Sequence, residues 1–410
     1  MRKSDLPPQL RATCVPIPEK SGCFAVVPLP VPTFIDVPSC HALILLARRE
    51  LDVLREVIAD NQAYADLLLH MLNRREAVDS SQIEGTRTSF DGLLIHEINE
   101  NTDQAQSDAD ADMTLGYVHA FAYGAEQIDQ LGPTALNQKL ILDLHRLLMA
   151  GDGQAAPGHW REIQNWIGGF AIETATYVPP PPAEVPRLMA DLERLFQYEP
   201  EGPAMVSILM RAAIAHVQFE AIHPFKDGNG RTGRLLLPLM FKADGEPPLH
   251  LATFLKVRKQ DYYRALEQAQ KRLNWAPWLT LFLECVIASC RHTVRLFSVL
   301  RAIQTRWKGL LAAAGKRRDA AIWKVIDLLL GQPVVTVRAI AQRLGVTFPA
   351  ANTAIDELVR FDILRKMDQT QRRDRVFHAH EVMNALYTGL DGVLLEVERQ
   401  TRSAPGLARV

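Results

Sequence analysis

The sequence has only five cysteines in 410 residues, Cys14, Cys23, Cys40, Cys285 and Cys290. Their odd number and the absence of metal-like spacing favour free thiols in a reducing compartment. The longest apolar stretch, around residues 278–290, is too short to cross a membrane and is typical of a buried helix. The basic N-terminus has no apolar run of the kind that forms a secretory signal. We therefore expect a cytoplasmic protein with no membrane partner.

An excess of charge of one sign is also absent. The chain has 46 Lys and Arg residues against 47 Asp and Glu residues, a formal net charge of −1. Such a balance gives no overall field that would draw the protein to nucleic acid, so a partner of that kind would need a local patch. The hydrophobic fraction of 48% and the length are typical of a globular protein with two or three domains.

One short stretch concentrates polar chemistry. Residues 223–234 read His-Pro-Phe-Lys-Asp-Gly-Asn-Gly-Arg-Thr-Gly-Arg, and an apolar run follows. Gly228 and Gly230 allow a tight turn that brings backbone N–H groups close to an anion. The residues from Arg231 onward predict a helix whose N-terminus favours negative charge, with Arg231 and Arg234 on the same side of its first turn. The stretch therefore indicates a phosphate site.

Two further side chains in this stretch suit roles in a reaction. Asp227 is a hard oxygen ligand for a magnesium ion that also binds substrate phosphates. His223 can accept a proton near neutral pH and is the candidate general base. The three glycines also satisfy the dinucleotide pattern G-x-G-x-x-G, but that pattern needs a preceding strand, and residues 205–219 predict a helix.

This string resembles the signature of the Fic family, H-P-F-x-[D/E]-G-N-G-R-x-x-R, at every specified position. Members of that family typically transfer AMP from ATP to a hydroxyl side chain of a target protein, on an all-helical core. The resemblance implies that Phe225 packs inward to fix the loop and that the Asn229 side chain helps to cradle phosphates. The full set of ATP and phosphate contacts that we predict is Gly228, Asn229, Gly230, Arg231, Thr232, Gly233, Arg234 and Tyr262.

A second motif lies upstream, where residues 74–86 read Arg-Arg-Glu-Ala-Val-Asp-Ser-Ser-Gln-Ile-Glu-Gly-Thr. Ser80 and Glu84 are four residues apart on a predicted helix and share a face, and Gly85 is a natural helix end. Alone, this pattern fits an ordinary surface helix end. Beside the first motif it resembles the family's inhibitory motif, [S/T]-x-x-x-E-[G/N]. By that resemblance Glu84 would pair with Arg234 and hold it away from the γ-phosphate of ATP.

The segment over residues 165–178 predicts a β-hairpin between helical regions. Residues 174–178 are β-branched and aromatic, and four prolines follow them. The resemblance implies that the hairpin over residues 165–178 is a flap, in which Thr176, Tyr177 and Val178 hold a target segment by main-chain pairing. A plain structural hairpin is the alternative.

Three other residues carry predictions about the core. We interpret His216 as a core histidine that supports the loop rather than a metal ligand, because Pro224 prevents a continuous helix to His223. Pro238 predicts a kink or an early end of the helix after the phosphate loop. Tyr262 precedes Tyr263, and the resemblance implies that the first tyrosine contacts adenine, although which of the two points inward is open.

The C-terminal third changes character. Helices are predicted at 320–330, 337–344 and 349–361, followed by short strands at 363–366 and 375–379, and this order resembles a winged helix. Its last part is locally basic, with Arg360, Arg365, Lys366, Arg372, Arg373 and Arg375. Such a patch suits contacts to a DNA backbone, and it equally suits docking of a protein or a dimer partner.

Together these patterns predict a mostly α fold, a Fic helical core with a small β-hairpin flap. The expected units are an N-terminal helical region at 1–110, proline-punctuated and extended up to residue 38, with an inhibitory helix at about 72–86. A catalytic core at 111–295, a winged-helix domain at 318–385 and a C-terminal helix and tail at 386–410 follow.

The predicted function is transfer of AMP from ATP, with Mg²⁺, to a Ser, Thr or Tyr hydroxyl of a target protein or of the chain itself. Two alternatives remain open at this point. One is removal of AMP, or transfer of another phosphate-containing group, at the same site. The other is a DNA-binding regulator with an accessory core. The sequence leaves the target, the reaction's direction and the existence of a homodimer undecided.

Overall fold

The computed structural model describes residues 3–18, 20–99, 108–197, 206–367 and 375–403. Helix makes up 69% and strand 4% of the structure, which confirms the predicted fold class. No helix within the described ranges is both long enough and apolar enough to span a membrane.

The N-terminal segment contains more structure than the extended chain that its prolines predict. Helix α1 (Pro8–Ala12) is followed by strands β1 (Cys14–Pro16) and β2 (Phe24–Val26), which pair antiparallel. The Val26 N–H donates to the Val178 carbonyl at 3.0 Å. This bond ties the N-terminal strands to the segment that was predicted as a flap.

The first part of the helical body runs through α2 (His41–Asp60), α3 (Gln62–Ile83), α4 (Phe90–Asn99), α5 (Ala109–Leu131), α6 (Gln138–Leu148) and α7 (Val185–Phe196). Side-chain caps begin three of these helices, since Ser89 accepts from one N–H group of α4, Asp108 from two of α5 and Asn137 from one of α6. In α6 and α7 the apolar residues recur three or four apart and face the common core.

The centre of the body is α8 (Ile208–Ile222), which is buried along its whole length, and α9 (Asn229–Ala243), which packs against it. Pro238 lies inside α9 without ending it, contrary to the prediction of an early end. Every residue from Arg231 to Phe241 is buried, so packing outweighs the backbone hydrogen bond that proline cannot donate. Helices α10 (Ala252–Val257) and α11 (Lys259–Arg272) follow.

The predicted hairpin over residues 165–178 is reduced to one antiparallel bridge between Ile167 and Tyr177. The Ile167 carbonyl accepts from both the Thr176 and Tyr177 N–H groups, so no regular ladder can form. The intervening chain contains a 3-10 turn over Ile172–Thr174. Residues 174–178 therefore do not form a strand, despite their composition.

A single long helix, α12 (Ala276–Ala313), crosses the predicted end of the core at residue 295. It leads to α13 (Ala321–Leu328), β3 (Val334–Thr336), α14 (Val337–Leu344), α15 (Phe348–Arg360), β4 (Arg365–Lys366), β5 (Val376–His378), α16 (His380–Tyr387) and α17 (Leu390–Ser403). The strands form an antiparallel sheet in the order β3-β5-β4, and β3 was not predicted. Residues 368–374, with Arg372 and Arg373, and the tail from residue 404 lie outside the described ranges.

Candidate functional site

The predicted phosphate loop joins the end of α8 to the start of α9. His223 has a left-handed backbone, with φ 50° and ψ 61°, and Gly228 has φ 77°. That conformation is uncommon for a residue other than glycine, so surrounding contacts must hold it. Arg161 provides them, since its Nε donates to the His223 carbonyl at 2.8 Å and its backbone N–H donates to the Pro224 carbonyl at 2.9 Å.

Two side chains close the loop from within. Asn229 Oδ1 accepts from the Phe225 N–H at 2.8 Å, and Asn229 Nδ2 donates to the Phe225 carbonyl at 2.9 Å. Both ends of this amide are used inside the loop, and a phosphate contact by the Asn229 side chain stays a prediction. The Phe225 ring is fully buried and stacks on His145 with 3.6 Å between ring centroids.

His145 is a site residue that the sequence patterns did not identify. Its Nε2 donates to the Asp227 carbonyl at 3.0 Å, and its Nδ1 accepts from the Gly158 N–H at 3.0 Å. Burial lowers the pKa of His145 to about 4, so its ring is neutral at pH 7. The only signal in the sequence is a polar ring within the apolar stripe of α6.

The first turn of α9 presents N–H groups that the helix itself does not pair with carbonyls. The N–H groups of Asn229, Gly230 and Arg231 lie where a helix has no carbonyl to receive them. Arg231 is 4% exposed, and its Nη2 contacts Met149 Sδ at 3.1 Å. Its Nε and Nη1 have no hydrogen-bond partner among the described residues. Buried donors of this kind are costly unless a ligand brings acceptors, so they mark an anion site.

Thr232 and Gly233 face the protein interior, and their contact with phosphate stays a prediction. The Thr232 hydroxyl donates to the Gly228 carbonyl at 2.9 Å, and Thr232 is fully buried. A Cβ atom at Gly233 would come within 2.6 Å of Glu220 Oε1. A larger residue here would displace the Glu220 carboxyl end and press on Phe219, so glycine suits the close approach of α8.

Arg234 is held by the C-terminus of α3. Its Nε donates to the Ser80 hydroxyl at 2.9 Å, and its Nη2 donates to the Ser80 carbonyl at 3.0 Å and to Glu84 Oε1 at 2.5 Å. The Arg234 side chain is 1% exposed, against 37% for Glu84. Gly85 follows with φ 107°, as expected for a residue that ends a helix. The structure thus brings together the residues of the two motifs.

Glu84 also covers the first turn of α9. A Cβ atom at Gly230 would lie 2.3 Å from Glu84 Oε1, so only glycine permits this approach. Burial opposes ionisation of Glu84, but the charge of Arg234, helped by Arg231 and Lys259, outweighs it and lowers the pKa of Glu84. At neutral pH the ionised carboxylate of Glu84 therefore lies beside the N–H donors of the candidate anion site.

His223 and Asp227 lie on either side of the loop. The His223 side chain is 20% exposed and lines the cleft. Burial and the charge of Arg161 lower the pKa of His223 to about 4, so the ring is neutral at pH 7 and can accept a proton. Asp227 is exposed, and its Oδ1 accepts from the Gly228 N–H at 2.6 Å. In the described part of the chain no three His, Cys, Asp or Glu side chains cluster as metal ligands.

Tyr262 and Tyr263 point in different directions. Tyr262 is 1% exposed, and its hydroxyl donates to His216 Nε2 at 2.8 Å, while His216 Nδ1 donates to the Gly233 carbonyl at 3.2 Å. Tyr263 is 43% exposed and lines the cleft beside it. His216 is accordingly a buried support of α9, and Tyr262 is the inward tyrosine.

The loop opens into a cleft of about 580 Å³. Its other wall is the bridged segment around Ile167 and Tyr177. Of the predicted flap residues, Thr176 is exposed, whereas Tyr177 and Val178 are buried. Trp166, at the same wall, is 42% exposed. The cleft thus has the phosphate loop on one side and an irregular backbone edge on the other.

Comparison with known proteins is consistent with this geometry. Residues 135–241 match the model of the Fic/DOC family, and residues 42–126 match that of the Fic/DOC family N-terminal region. The protein adenylyltransferase Fic of Drosophila sechellia is 28% identical over 231 residues, which are 55% of this chain and 41% of the relative. The protein of the same name from Drosophila yakuba is 29% identical over the same shares.

The chain therefore spans about two fifths of the length of these curated relatives. Among solved structures, a Fic family protein from Desulfovibrio desulfuricans G20 superimposes with a TM-score of 0.51 at 18% identity. The match covers 85% of this chain and 98% of that protein. At this identity the similarity establishes a shared fold.

Proposed function

Because the chain carries a Fic/DOC family domain, we propose that it transfers AMP from ATP to a Ser, Thr or Tyr hydroxyl of a protein, itself included. The observation that carries this proposal is the set of unpaired donors on Arg231 and on the first turn of α9. They lie in the same short loop as His223, a neutral base on the cleft. An anion site next to a base suits transfer of a phosphate-linked group to a hydroxyl.

In this proposal the phosphates of ATP supply the acceptors that the loop needs. The target oxygen attacks the α-phosphorus, the bond from that phosphorus to the bridging oxygen breaks, and pyrophosphate leaves. The proton of the hydroxyl passes to His223. Arg231 balances the charge of the departing pyrophosphate, and Arg234 does so once it is free of Glu84. Positioning and charge account for most of the catalysis, as in phosphoryl transfer generally.

Asp227 is the residue that would hold a magnesium ion. Its carboxylate is exposed at the loop, and one carboxylate together with phosphate oxygens is a common magnesium environment. The ion would neutralise charge on the phosphates. No larger protein ligand set is needed for that role.

The enzyme is proposed to restrain itself through Glu84. The carboxylate occupies Arg234 and lies against Gly230, at the first turn of α9. A γ-phosphate in that position would meet a like charge and would find Arg234 already engaged. Movement of Glu84 would remove both obstacles.

A second function is proposed for the C-terminal unit, residues 318–385, as a winged helix that docks a partner. Its support is the order of α13, α14 and α15 with the sheet β3-β5-β4. Arg360 and Lys366 are exposed there, whereas Arg375 binds Asn352 on α15. Salt-dependent binding to duplex DNA would identify DNA as the partner, and its absence at low salt would favour a protein.

The primary proposal is tested by incubation with ATP labelled at the α-phosphate, in lysate and with the purified chain. Wild type, Glu84→Gly and His223→Ala are compared, and the modified protein is weighed by mass spectrometry. We expect an added AMP in Glu84→Gly and at least a hundredfold loss on removing the base. An added phosphate, or equal labelling by His223→Ala, would contradict the proposal.

A further inference from the structure

Glu220 is a buried carboxyl group beside the loop. The proposed reaction assigns it no role. It lies on the last turn of α8, three residues before His223, and is 7% exposed. Its Oε1 has no hydrogen-bond partner within the described ranges. Burial raises the pKa of Glu220 to about 7, against the opposing charge of Arg234. A buried carboxyl without a partner is costly and therefore calls for an explanation.

The Glu220 carboxyl group packs closely against α9. Glu220 Oε1 lies 2.6 Å from where a Cβ atom of Gly233 would stand, and Phe219 lies 3.0 Å from the same point. Glycine inside a helix costs about 1 kcal/mol relative to alanine. The helix α9 nevertheless has glycine at this position, next to the carboxyl group. The absence of a side chain at Gly233 thus leaves room for the Glu220 carboxyl group against α9.

The Nδ1 atom of His223 is also unpartnered in the described structure, and it lies 3.9 Å from Glu220 Oε2. The backbone carbonyl of Glu220 is the other acceptor close to this nitrogen. The oxygen that faces Nδ1 is Oε2, and Oε1 of the same carboxyl group points towards Gly233, so a small rotation of either side chain would bring a carboxyl oxygen within hydrogen-bond distance of Nδ1. Catalytic hydrogen bonds are often long before the substrate is bound.

We propose that the Glu220 side chain is a positioning residue for His223. When the target hydroxyl binds, its carboxylate accepts a hydrogen bond from Nδ1–H, which keeps Nε2 unprotonated and turned to the opposite side of the ring. In the adenylyl transfer, on which this inference depends, the hydroxyl proton moves to Nε2. The imidazolium that results is then stabilised by the carboxylate until pyrophosphate has left.

The surrounding charges are consistent with this role. Arg161 lies on one side of His223 and disfavours the imidazolium, whereas Glu84 and Asp227 favour it from further away. Glu220 faces Arg234, Tyr262 and Glu84 in addition to His223. In the restrained state Arg234 is bound to Ser80 and Glu84 rather than to Glu220. Among the described residues, Glu220 is the carboxylate that lies within 4.0 Å of Nδ1.

The test uses the full chain in the Glu84→Gly background, where labelling is measurable. Glu220→Gln is compared with Glu246→Gln, which removes a carboxylate of similar burial that pairs with Arg48 far from the loop. We expect kcat to fall about tenfold in Glu220→Gln, less than the roughly 10²–10⁴-fold that a general base itself contributes, with KM for ATP unchanged. Because the ionised carboxyl group is the form that supports His223, kcat of the parent should rise with pH near neutrality, and Glu220→Gln should lose this rise. Glu246→Gln should match its parent.

Nitrogen-15 NMR of the His223 ring supplies a second readout that does not need the reaction. Glu220→Gln should lower the pKa of His223 and reduce the fraction of the Nδ1–H tautomer. An unchanged ring titration together with an unchanged kcat would overturn the proposal and assign the orientation of the ring to the backbone carbonyl. If no variant labels any protein, the proposed function fails, while the ring titration still decides the role of Glu220.

Discussion

Arg234 and Ser80 meet through two hydrogen bonds, from Nε to the hydroxyl at 2.9 Å and from Nη2 to the carbonyl at 3.0 Å. These bonds fix the guanidinium group against α3 whether or not Glu84 is ionised. Glu84 adds the charged contact, at 2.5 Å. The C-terminus of α3 thus positions Arg234 through the neutral hydroxyl and carbonyl of Ser80. The Glu84 carboxylate adds one charged contact.

Replacing Glu84 by glycine should raise incorporation of AMP into the protein about tenfold. Charge-assisted bonds contribute roughly 1.5–3 kcal/mol, and the 37% exposure of Glu84 places this one at the lower end. The initial rate of labelling from α-labelled ATP measures the effect. Ser80→Ala is the matched variant, since it removes a neutral contact and keeps the carboxylate, and it should change the rate less than Glu84→Gly does. Equal rates in Glu84→Gly and wild type, with ATP binding intact, would contradict restraint by Glu84.

Arg161→Met should destabilise the protein by about 3 kcal/mol. The guanidinium group donates to the carbonyls of His223, Ile163 and Pro180, and its removal leaves these acceptors buried without donors. Denaturant unfolding measures the loss, and labelling should fall with it because His223 loses its support. Arg146→Met is the control, since Arg146 is 61% exposed and pairs only with Asp143 among the residues described, and it should shift stability by less than about 0.5 kcal/mol.

A pH dependence is expected from Glu76, which is 1% exposed on α3. Burial raises its pKa from 4.5 to about 8, although the Ala252 N–H donates to it. The folded state therefore keeps a proton that the unfolded chain releases, so this group makes stability fall as pH rises between these values. Buried histidines with lowered pKa, such as His216 and His250, act in the opposite direction but only below about pH 6.5.

Glu76→Gln should remove this contribution. The free energy of unfolding, measured from pH 6.5 to 8, should decline less steeply than in wild type, by up to about 1.4 kcal/mol per pH unit. Glu126→Gln, at an exposed position of α5, should leave the slope as it is. Parallel curves for wild type and Glu76→Gln would show that Glu76 is ionised in the folded protein.

The loop and the helix end at Glu84 could be predicted because each is a local motif whose residues act together. The roles of Asn229 and His145 could not, because they depend on the Phe225 backbone and on Gly158, which folding brings to them. The segment 174–178 has the composition of a strand, yet the Ile167 carbonyl takes two donors and prevents a ladder. Sequence periodicity reports which face of an element is buried, and it does not report such partners.

Tyr387→Ala should loosen helix α3, whose C-terminus carries Glu84, from a distance. The Tyr387 hydroxyl on α16 donates to Asp91 at 2.7 Å, and the guanidinium carbon of Arg75 lies 5.0 Å from the centre of its ring. Arg75 in turn donates to Asp79 at 2.7 Å, little more than one helical turn before Glu84. Loss of the cation–π contact and of the hydrogen bond removes about 1–2 kcal/mol of support.

Hydrogen–deuterium exchange measures this coupling directly. Amides of residues 76–84 should exchange about tenfold faster in Tyr387→Ala, and labelling by ATP should rise in the same variant. Tyr387→Phe keeps the ring over Arg75 and should give an intermediate rate. Phe348→Ala, which changes an exposed side chain on α15, should leave this exchange unaltered. If residues 76–84 exchange equally in Tyr387→Ala and wild type, the C-terminal helices do not support the end of α3 that carries Glu84.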